Sequence, residues 1–218
     1  MLPATPSHRR THAVSAPPGT SRLEQIRRVG CLLLFEYGYA GMTMRQIAAR
    51  LRIKAASLYY HFPSKQDILF DVMRATASEL LEGLRRIAGT DDDPITQVNA
   101  AIRWHVLFHT QRREEAFVSH SELRSLTPDN LREILKLRRE YERLFDSILK
   151  RGQREGAFPI QETGVIRNCI LTMCTATAGW FSPKGPLTAE QVADQIRDFV
   201  WSGLIRAQAS PQSSGSAA

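Results

Sequence analysis

The side chains of this sequence that could do chemistry are few, and the most suggestive pair is His105 with His109. Two histidines four residues apart share one face of a helix and can bind a metal ion. A third ligand does not follow nearby in the sequence, and His120 or Glu122 could approach the pair only through the fold. We therefore predict no metal site and interpret both histidines as polar pocket-lining or hydrogen-bonded core residues.

Motifs of the common enzyme classes are missing from the sequence. It contains no phosphate-binding glycine loop, no Gly-x-Ser-x-Gly elbow and no His-Glu-x-x-His zinc motif. The acidic run Asp91, Asp92 and Asp93 adjoins a helix start and is typical of a solvated linker, and Glu114 and Glu115 follow two arginines as a charged turn. We therefore predict that the chain is not an enzyme and needs no cofactor.

The positive charge of the chain is concentrated in its first third. The 218 residues carry 29 Lys and Arg against 22 Asp and Glu, a net charge of +7. Residues 1–70 hold ten of the bases and three of the acids, so they account for the entire excess. A basic module joined to a neutral one favours a polyanion-binding part attached to a second function, although a basic surface also serves solubility.

Composition excludes several classes of protein. Hydrophobic residues are 43% and charged residues 23% of the chain, a globular mixture. No apolar run reaches the 18 residues of a membrane span, and residues 1–19 lack the apolar segment of a secretory signal. Cys31, Cys169 and Cys174 are odd in number and lie in apolar stretches, which argues against a disulfide framework. We expect a cytoplasmic protein without membrane contact.

The elements that position these residues are helices. N-cap residues followed by an acid, an amide or a proline mark helix starts at Ser21, Thr43, Ser64, Asp93 and Thr127. The turn YGYAG ends the first helix. Two short helices follow, and we expect longer ones at about 65–88, 94–111, 114–125, 128–155, 162–181 and 188–208.

The two short helices and their turn form a helix-turn-helix pattern, TMRQIAARLRIKAASLYYHFPSK. Ala48 and Ala49 allow a close helix crossing, and Ile53 and Leu58 close the junction. The second helix of the pair then exposes small, hydroxyl-bearing and basic side chains that can enter a DNA major groove, while flanking residues fall where phosphates run. The predicted DNA-contacting residues are Thr43, Arg45, Lys54, Ala55, Ser57, Tyr59, Tyr60, His61 and Lys65.

Over roughly residues 21–73, and most closely in GYAGMTMRQIAARLRIKAASLYYHFPSKQDIL, the sequence resembles the TetR family of transcriptional regulators. The resemblance implies an all-α homodimer of about nine helices, with an N-terminal three-helix DNA-binding domain and a C-terminal helical ligand-binding and dimerisation domain. It also implies that the fourth helix couples the two domains. We place a disordered basic arm at 1–19, the DNA-binding domain at 20–66, the ligand-binding and dimerisation domain at 67–208, and a disordered tail at 209–218.

The sequence departs from the family at the helix-turn-helix turn. Many members have a Gly-Val-Ser type of turn, whereas this chain has Leu51-Arg52-Ile53-Lys54-Ala55. Arg52 adds a base and removes the turn glycine, which leaves the motif intact but makes the base preference unreadable.

Regulators of this kind need a cavity between helices. The segment RNCILTMCTATAGWFSPKGP looks like the family branch that responds to acyl-CoA thioesters, in which an apolar pocket takes the acyl part and arginines meet the CoA phosphates. Arg167 is our first candidate for that cation, ahead of Arg124 and Arg138, and a surface base is the alternative. The predicted ligand-binding residues are Trp104, His105, Phe108, Phe117, Tyr141, Arg167, Met173, Cys174, Thr177 and Trp180, with Phe145 and Ile170 as further candidates, although such stripes also form plain core.

The last two helices carry wide apolar faces that favour a partner helix pair over a sealed monomer core. Their stripes are Val165, Ile166, Cys169, Ile170 and Met173, then Val192, Ile196, Phe199, Val200 and Leu204.

Together these features predict a repressor that binds a pseudo-palindromic double-stranded DNA operator as a homodimer and is released by a small hydrophobic effector, perhaps described best as an acyl-CoA thioester from lipid or sterol breakdown. The alternatives are an activator or DNA-binding protein of the same fold without a small ligand, a drug- or lipid-sensing efflux regulator, and a helical enzyme or binding module with an incidental basic segment.

Overall fold

The structure, a computed structural model, describes residues 21–159 and 162–206, with the backbone alone at 204–206. These residues form nine α-helices and no strand, which confirms the all-α fold class. No helix among them is long and apolar enough to cross a membrane. The helices are α1 (Arg22–Gly41), α2 (Met44–Leu51), α3 (Ala55–His61), α4 (Lys65–Ala88), α5 (Pro94–Gln111), α6 (Arg113–Ser121), α7 (Pro128–Arg154), α8 (Thr163–Trp180) and α9 (Ala189–Arg206), with a 3₁₀ turn at Leu123–Ser125.

Three predictions fall outside the described residues: the basic arm at 1–19, the tail at 209–218 and the place of the Leu204 side chain.

Helix starts follow the capping residues of the sequence. Thr43 and Gln46 form a complete reciprocal box, in which each side chain accepts a hydrogen bond from the other residue's backbone N–H. The hydroxyl of Ser64 accepts from the Asp67 N–H and donates to the Asp67 carboxylate at 2.7 Å. The side chain of Asp93 accepts two backbone N–H groups at the start of α5. These bonds satisfy backbone donors that a helix leaves free at its first turn.

Gly38 breaks α1 three residues before its end. Its backbone has φ 66° and ψ 173°, and its carbonyl accepts the Met42 N–H at 3.1 Å. A Cβ at this position would lie 3.1 Å from the Glu122 carboxylate of the segment after α6. Glycine therefore serves both the left-handed backbone and the close approach of that segment.

The helix predicted at 114–125 is divided in the structure. α6 ends at Ser121, Glu122 has φ −101° and ψ 11°, and the chain continues as the 3₁₀ turn. The single longer helix was therefore wrong, because the backbone leaves α-helical geometry at Glu122.

Two hydrophobic cores are joined by α4. The first half of α4 packs into a core with α1, α2 and α3, through Ile68, Leu69, Val72 and Met73. The second half packs with α5, α7, α8 and α9, through Leu81 and Leu84. A rotation or shift of α4 therefore reaches both cores.

Candidate functional site

The helix-turn-helix is closed from within by a few side chains. Ile47 and Leu58 are fully buried and Ala48 is nearly so, which lets α2 and α3 cross closely. The turn has two backbone bonds: the Arg52 N–H donates to the Ala49 carbonyl at 3.1 Å, and the Ile53 N–H donates to the Ala48 carbonyl at 3.0 Å. This pair is the Schellman arrangement that ends many helices, and it fixes the angle at which α3 leaves α2.

The outer surface of α3 is exposed as the sequence predicts. Tyr60 is 85% exposed and Tyr59 is 49% exposed. The other solvent-facing candidates at or before this helix are Thr43, Arg45, Lys54, Ala55 and Ser57. His61 is half-buried, with its ring edge-on to that of Tyr60 at 5.3 Å. α3 therefore presents a polar and aromatic surface on a rigid support.

Lys65, the last of the predicted DNA-contacting residues, is partly engaged within the fold. Its Nζ donates to the Tyr39 carbonyl at 2.9 Å and lies 4.3 Å from the centre of the Tyr39 ring. The first turn of α4 is thereby tied to the end of α1.

The arginines of the basic module divide into paired and unpaired groups. Arg27 lies 2.6 Å from Asp71 and Arg50 lies 3.1 Å from Glu36. Within residues 21–159 and 162–206, no ion pair is formed by Arg45, Arg52 or Lys54. The uncompensated positive charge therefore lies at the two ends of the α2–α3 turn and beside α2.

The C-terminal half contains a cavity of about 180 Å³ between five helices. Its walls come from α4, α5, α6, α7 and α8. The lining residues are Met73, Thr76, Ala77, Leu80, His105, Phe108, His109, Ala116, Ser119, His120, Ile134, Leu137, Arg138, Tyr141, Glu142, Leu171 and Thr175. Aliphatic and aromatic groups cover one part of the wall and hydrogen-bonding groups the other, the mixture typical of small-molecule sites.

A histidine pair forms the polar wall. The His105 ring lies 2.9 Å from the Tyr141 hydroxyl through Nδ1 and 2.9 Å from the Thr175 hydroxyl through Nε2. His109 stacks on it at 4.3 Å between ring centres, and its Nδ1 donates to the His105 carbonyl at 2.9 Å. Hydroxyls both donate and accept, so a neutral His105 is satisfied in either tautomer.

Burial keeps these imidazoles neutral. It lowers the pKa of His105 well below its usual value, and it lowers the pKa of His109 to about 4. Burial and the charge of Arg138 also lower the pKa of His120. A charged imidazole would lose its hydration in this cavity without gaining an anionic partner. The wall therefore offers neutral donors and acceptors. No group of three or more His, Cys, Asp or Glu that could hold a metal ion occurs in the described part of the chain.

Arg138 supplies a cation to the cavity wall. Its Nη2 donates to the Ser119 carbonyl at 2.6 Å. Burial lowers the pKa of Arg138, with the charge of Glu142 acting in the opposite direction. Arg167, the first candidate from the sequence, lies outside the cavity lining: its guanidinium contacts the Asn168 side chain at 3.0 Å and lies 3.9 Å from Asp146. Arg124 is exposed in the 3₁₀ turn.

Of the ten predicted ligand-binding residues, three line the cavity: His105, Phe108 and Tyr141. The Trp104 indole N–H donates to the Leu80 carbonyl on the side of α5 that faces α4. Trp180 is 59% exposed. The rest of the predicted set, with the two further candidates, packs in the core or is partly buried beside it: Phe145, Ile170, Met173, Cys174 and Thr177.

Phe117 lies against the DNA-binding half of the chain. Its ring packs edge-on to Phe35 of α1 at 5.1 Å, and it is absent from the cavity lining. Ala116, Ser119 and His120 of the same helix do line the cavity. α6 therefore contacts the cavity with one face and α1 with another.

Several lining residues were missed by sequence reasoning, above all those of α4, α6 and α7. Thr76 and Ala77 interrupt an otherwise bulky buried face of α4, and such small residues could have indicated a void. For Ile134, Leu137 and Leu171, the sequence carries no signal that separates lining from core.

α8 and α9 share an apolar face that the described chain leaves uncovered. Val165 is 59% exposed and Phe199 is 68% exposed, and Cys169 is also exposed. Other members of the predicted stripes turn inward: Ile170, Val192 and Val200 are buried, and Ile166, Met173 and Ile196 pack against the core. Each stripe therefore divides between the chain's own core and solvent.

Comparison with known proteins gives matches along most of the chain. Residues 26–72 match the family described as "Bacterial regulatory proteins, tetR family", and residues 91–204 match "Tetracyclin repressor-like, C-terminal domain". The HTH-type transcriptional repressor KstR2 of Mycolicibacterium smegmatis is 24% identical over 210 residues, which is 95% of this chain and 98% of that protein.

Solved structures agree with these matches. AibR in complex with isovaleryl coenzyme A and operator DNA is 26% identical, with a TM-score of 0.76, over 82% of this chain and 97% of that one. The TetR family transcriptional regulator PfmR of Thermus thermophilus is 26% identical, with a TM-score of 0.75, over 80% of this chain and 96% of that one.

Proposed function

This chain belongs to the TetR family of bacterial regulatory proteins and is a transcriptional repressor rather than an enzyme, and we propose that it binds a pseudo-palindromic operator as a homodimer and leaves it when an acyl-CoA thioester fills the cavity. We propose the DNA-binding domain at 20–66 and the ligand-binding and dimerisation domain at 67–208. The observation that carries the effector proposal is the cavity between α4 and α8, with its neutral polar wall and Arg138.

The proposed DNA contact places α3 in the major groove. Its exposed Ser57, Tyr59 and Tyr60 face base edges and groove walls, and Thr43 and Arg45 at the start of α2 face phosphates. Lys54→Ala or Tyr59→Ala should weaken operator binding in a gel-shift titration while the melting temperature stays the same. Unchanged affinity in both variants would contradict the assignment of α3.

The proposed dimer pairs the uncovered face of α8 and α9 with the same face of a second copy. Val165, Trp180 and Phe199 are large, apolar and more than half exposed. A two-fold pairing would bury them and set the two α3 helices about one DNA turn apart, roughly 34 Å. Phe199→Glu should therefore shift the protein to monomer in sedimentation equilibrium.

The proposed effector class follows from the cavity wall and from the neighbours. The apolar residues of α4 and α7 suit an acyl chain, while Arg138 suits an anionic or carbonyl group at one side. The structure of AibR with isovaleryl coenzyme A supports a CoA thioester as the ligand class.

The proposed coupling runs through α6 as well as α4. A ligand that displaces Ser119 or His120 shifts α6, and α6 bears on α1 through Phe117 and Phe35. The ligand acts only if the shifted state binds it more tightly than the DNA-bound state does. Phe117→Ala should therefore leave ligand affinity intact and reduce its effect on DNA binding.

A thermal-shift screen tests the effector proposal. The probes are acyl-CoA thioesters of different chain length, free CoA, and the matching free acids. At 100 times its Kd, a ligand adds about 2.7 kcal/mol of stability, enough to raise the melting temperature by a few degrees.

Two matched variants locate the ligand. Arg138→Gln should abolish most of the shift with thioesters, whereas Arg167→Gln, outside the cavity, should keep it. A shift with free acids alone would replace the thioester class with a lipid- or drug-like one, and no shift with any probe would overturn the effector proposal.

A further inference from the structure

The turn between α2 and α3 holds an unusual backbone. Arg52 has φ 54° and ψ 44°, and among residues 21–159 and 162–206 it is the non-glycine residue with positive φ. Its N–H and that of Ile53 complete the Schellman bonds to Ala49 and Ala48. Glycine is the usual residue at this position, because a Cβ in the left-handed region crowds the following carbonyl.

The fold gains no visible contact from the Arg52 side chain. The residue is exposed, and the described part of the chain gives it neither an ion pair nor a side-chain hydrogen bond. Arg50, two residues earlier, differs, because its guanidinium lies 3.1 Å from Glu36. A strained backbone that holds a side chain without a folded-state partner points to a role outside the fold.

The place of Arg52 suits a DNA phosphate. It precedes the N-cap of α3, Lys54, by two residues, and both side chains are exposed. In helix-turn-helix proteins the first residues of the second helix meet base edges, so the residues just before it stand beside the groove wall. A guanidinium there can form two parallel bonds with a phosphate.

We propose that Arg52 is a phosphate anchor of the DNA complex, held beside the start of α3 by its left-handed backbone. The proposal rests on the mode of binding in which α3 enters the major groove. It accounts for an arginine in a turn that glycine would form without strain.

The test separates charge from backbone strain with three variants. Arg52→Gly removes both, Arg52→Asn removes the charge but tolerates the left-handed backbone, and Arg52→Lys keeps the charge. Arg154→Ala, at the exposed end of α7, controls for net charge. The probe is a duplex selected by the unaltered protein from a random-sequence pool, and its Kd is measured from 50 to 300 mM NaCl beside each variant's melting temperature.

We expect Arg52→Gly to melt at a higher temperature and yet bind the duplex about fivefold more weakly at 0.15 M salt, with the slope of log K against log salt smaller by about 0.9. Arg52→Asn should lose the same slope, while Arg52→Lys and Arg154→Ala should keep the original one. Unchanged affinity and slope in Arg52→Gly would overturn the anchor. If Lys54→Ala and Tyr59→Ala also bind as the unaltered protein does, the proposed docking of α3 fails as well; if they weaken binding, only the anchor fails.

Discussion

Acidification should destabilise the ligand-binding half of this repressor through His109. Burial lowers the pKa of His109 to about 4, against about 6.5 for an unhindered histidine. The unfolded chain therefore binds the proton more readily than the folded chain does. The free energy of unfolding is highest above pH 6.5 and falls as the pH drops from 6.5 towards 4.

The magnitude follows from the distance between the two pKa values. One pKa unit corresponds to about 1.4 kcal/mol, so the complete loss is about 3 kcal/mol below pH 4. Between pH 7.5 and pH 5.0 the same linkage relation gives a loss of about 2 kcal/mol from this one residue. His109 is 4% exposed, so solvent screening reduces the figure little. His105 adds to the loss, because burial lowers its pKa in the same direction.

Urea denaturation at pH 7.5 and at pH 5.0, at one protein concentration, measures this loss. His109→Gln keeps a side-chain donor for the His105 carbonyl and removes the titrating group. The variant should lose about 2 kcal/mol less than the unaltered protein between the two pH values, whatever its stability at pH 7.5. Equal losses in the two proteins would refute a buried, neutral His109.

Three further substitutions test the packing. Phe145→Ala, at a fully buried site of the C-terminal core, should lower the free energy of unfolding by about 3–5 kcal/mol in urea denaturation. Gly83→Ala would set a Cβ 2.1 Å from the Trp104 ring, so we expect a loss of about 1–3 kcal/mol, and an unchanged midpoint would show that the indole moves freely. Thr127→Ala removes the acceptor of the Asn130 N–H at the start of α7 and should cost about 1 kcal/mol by the same assay.

Helix positions could be predicted closely because their determinants are local. Asp93 with Pro94 and Thr127 with Pro128 mark the starts of α5 and α7, and both helices begin there in the structure. A cap is a contact among residues at most four apart, so the sequence contains all of it. The helix-turn-helix surface was equally accessible, because exposure of Tyr59 and Tyr60 follows from helical periodicity around the buried Leu58.

The cavity could be predicted only in part, because its lining depends on distances between helices. Trp104 and His105 are adjacent in the sequence, yet the indole packs over Gly83 while the imidazole lines the cavity. Arg138 and Arg167 both belong to long helices, and only the packing of α6 against α7 brings Arg138 to the wall. A void is what the surrounding helices leave unfilled, and periodicity cannot separate its lining from core.

The structure adds α6 to α4 as a route between the two halves. α4 is a helix of 24 residues embedded in both cores, and its start is fixed by the Ser64 cap. α6 has nine residues, no side-chain hydrogen bond at its N-cap Arg112, and a C-terminal end that changes to a 3₁₀ turn. A short, weakly capped helix has fewer interactions to break when it shifts. Because this helix also lies between the cavity and Phe35, we expect ligand-induced movement to begin there and α4 to follow.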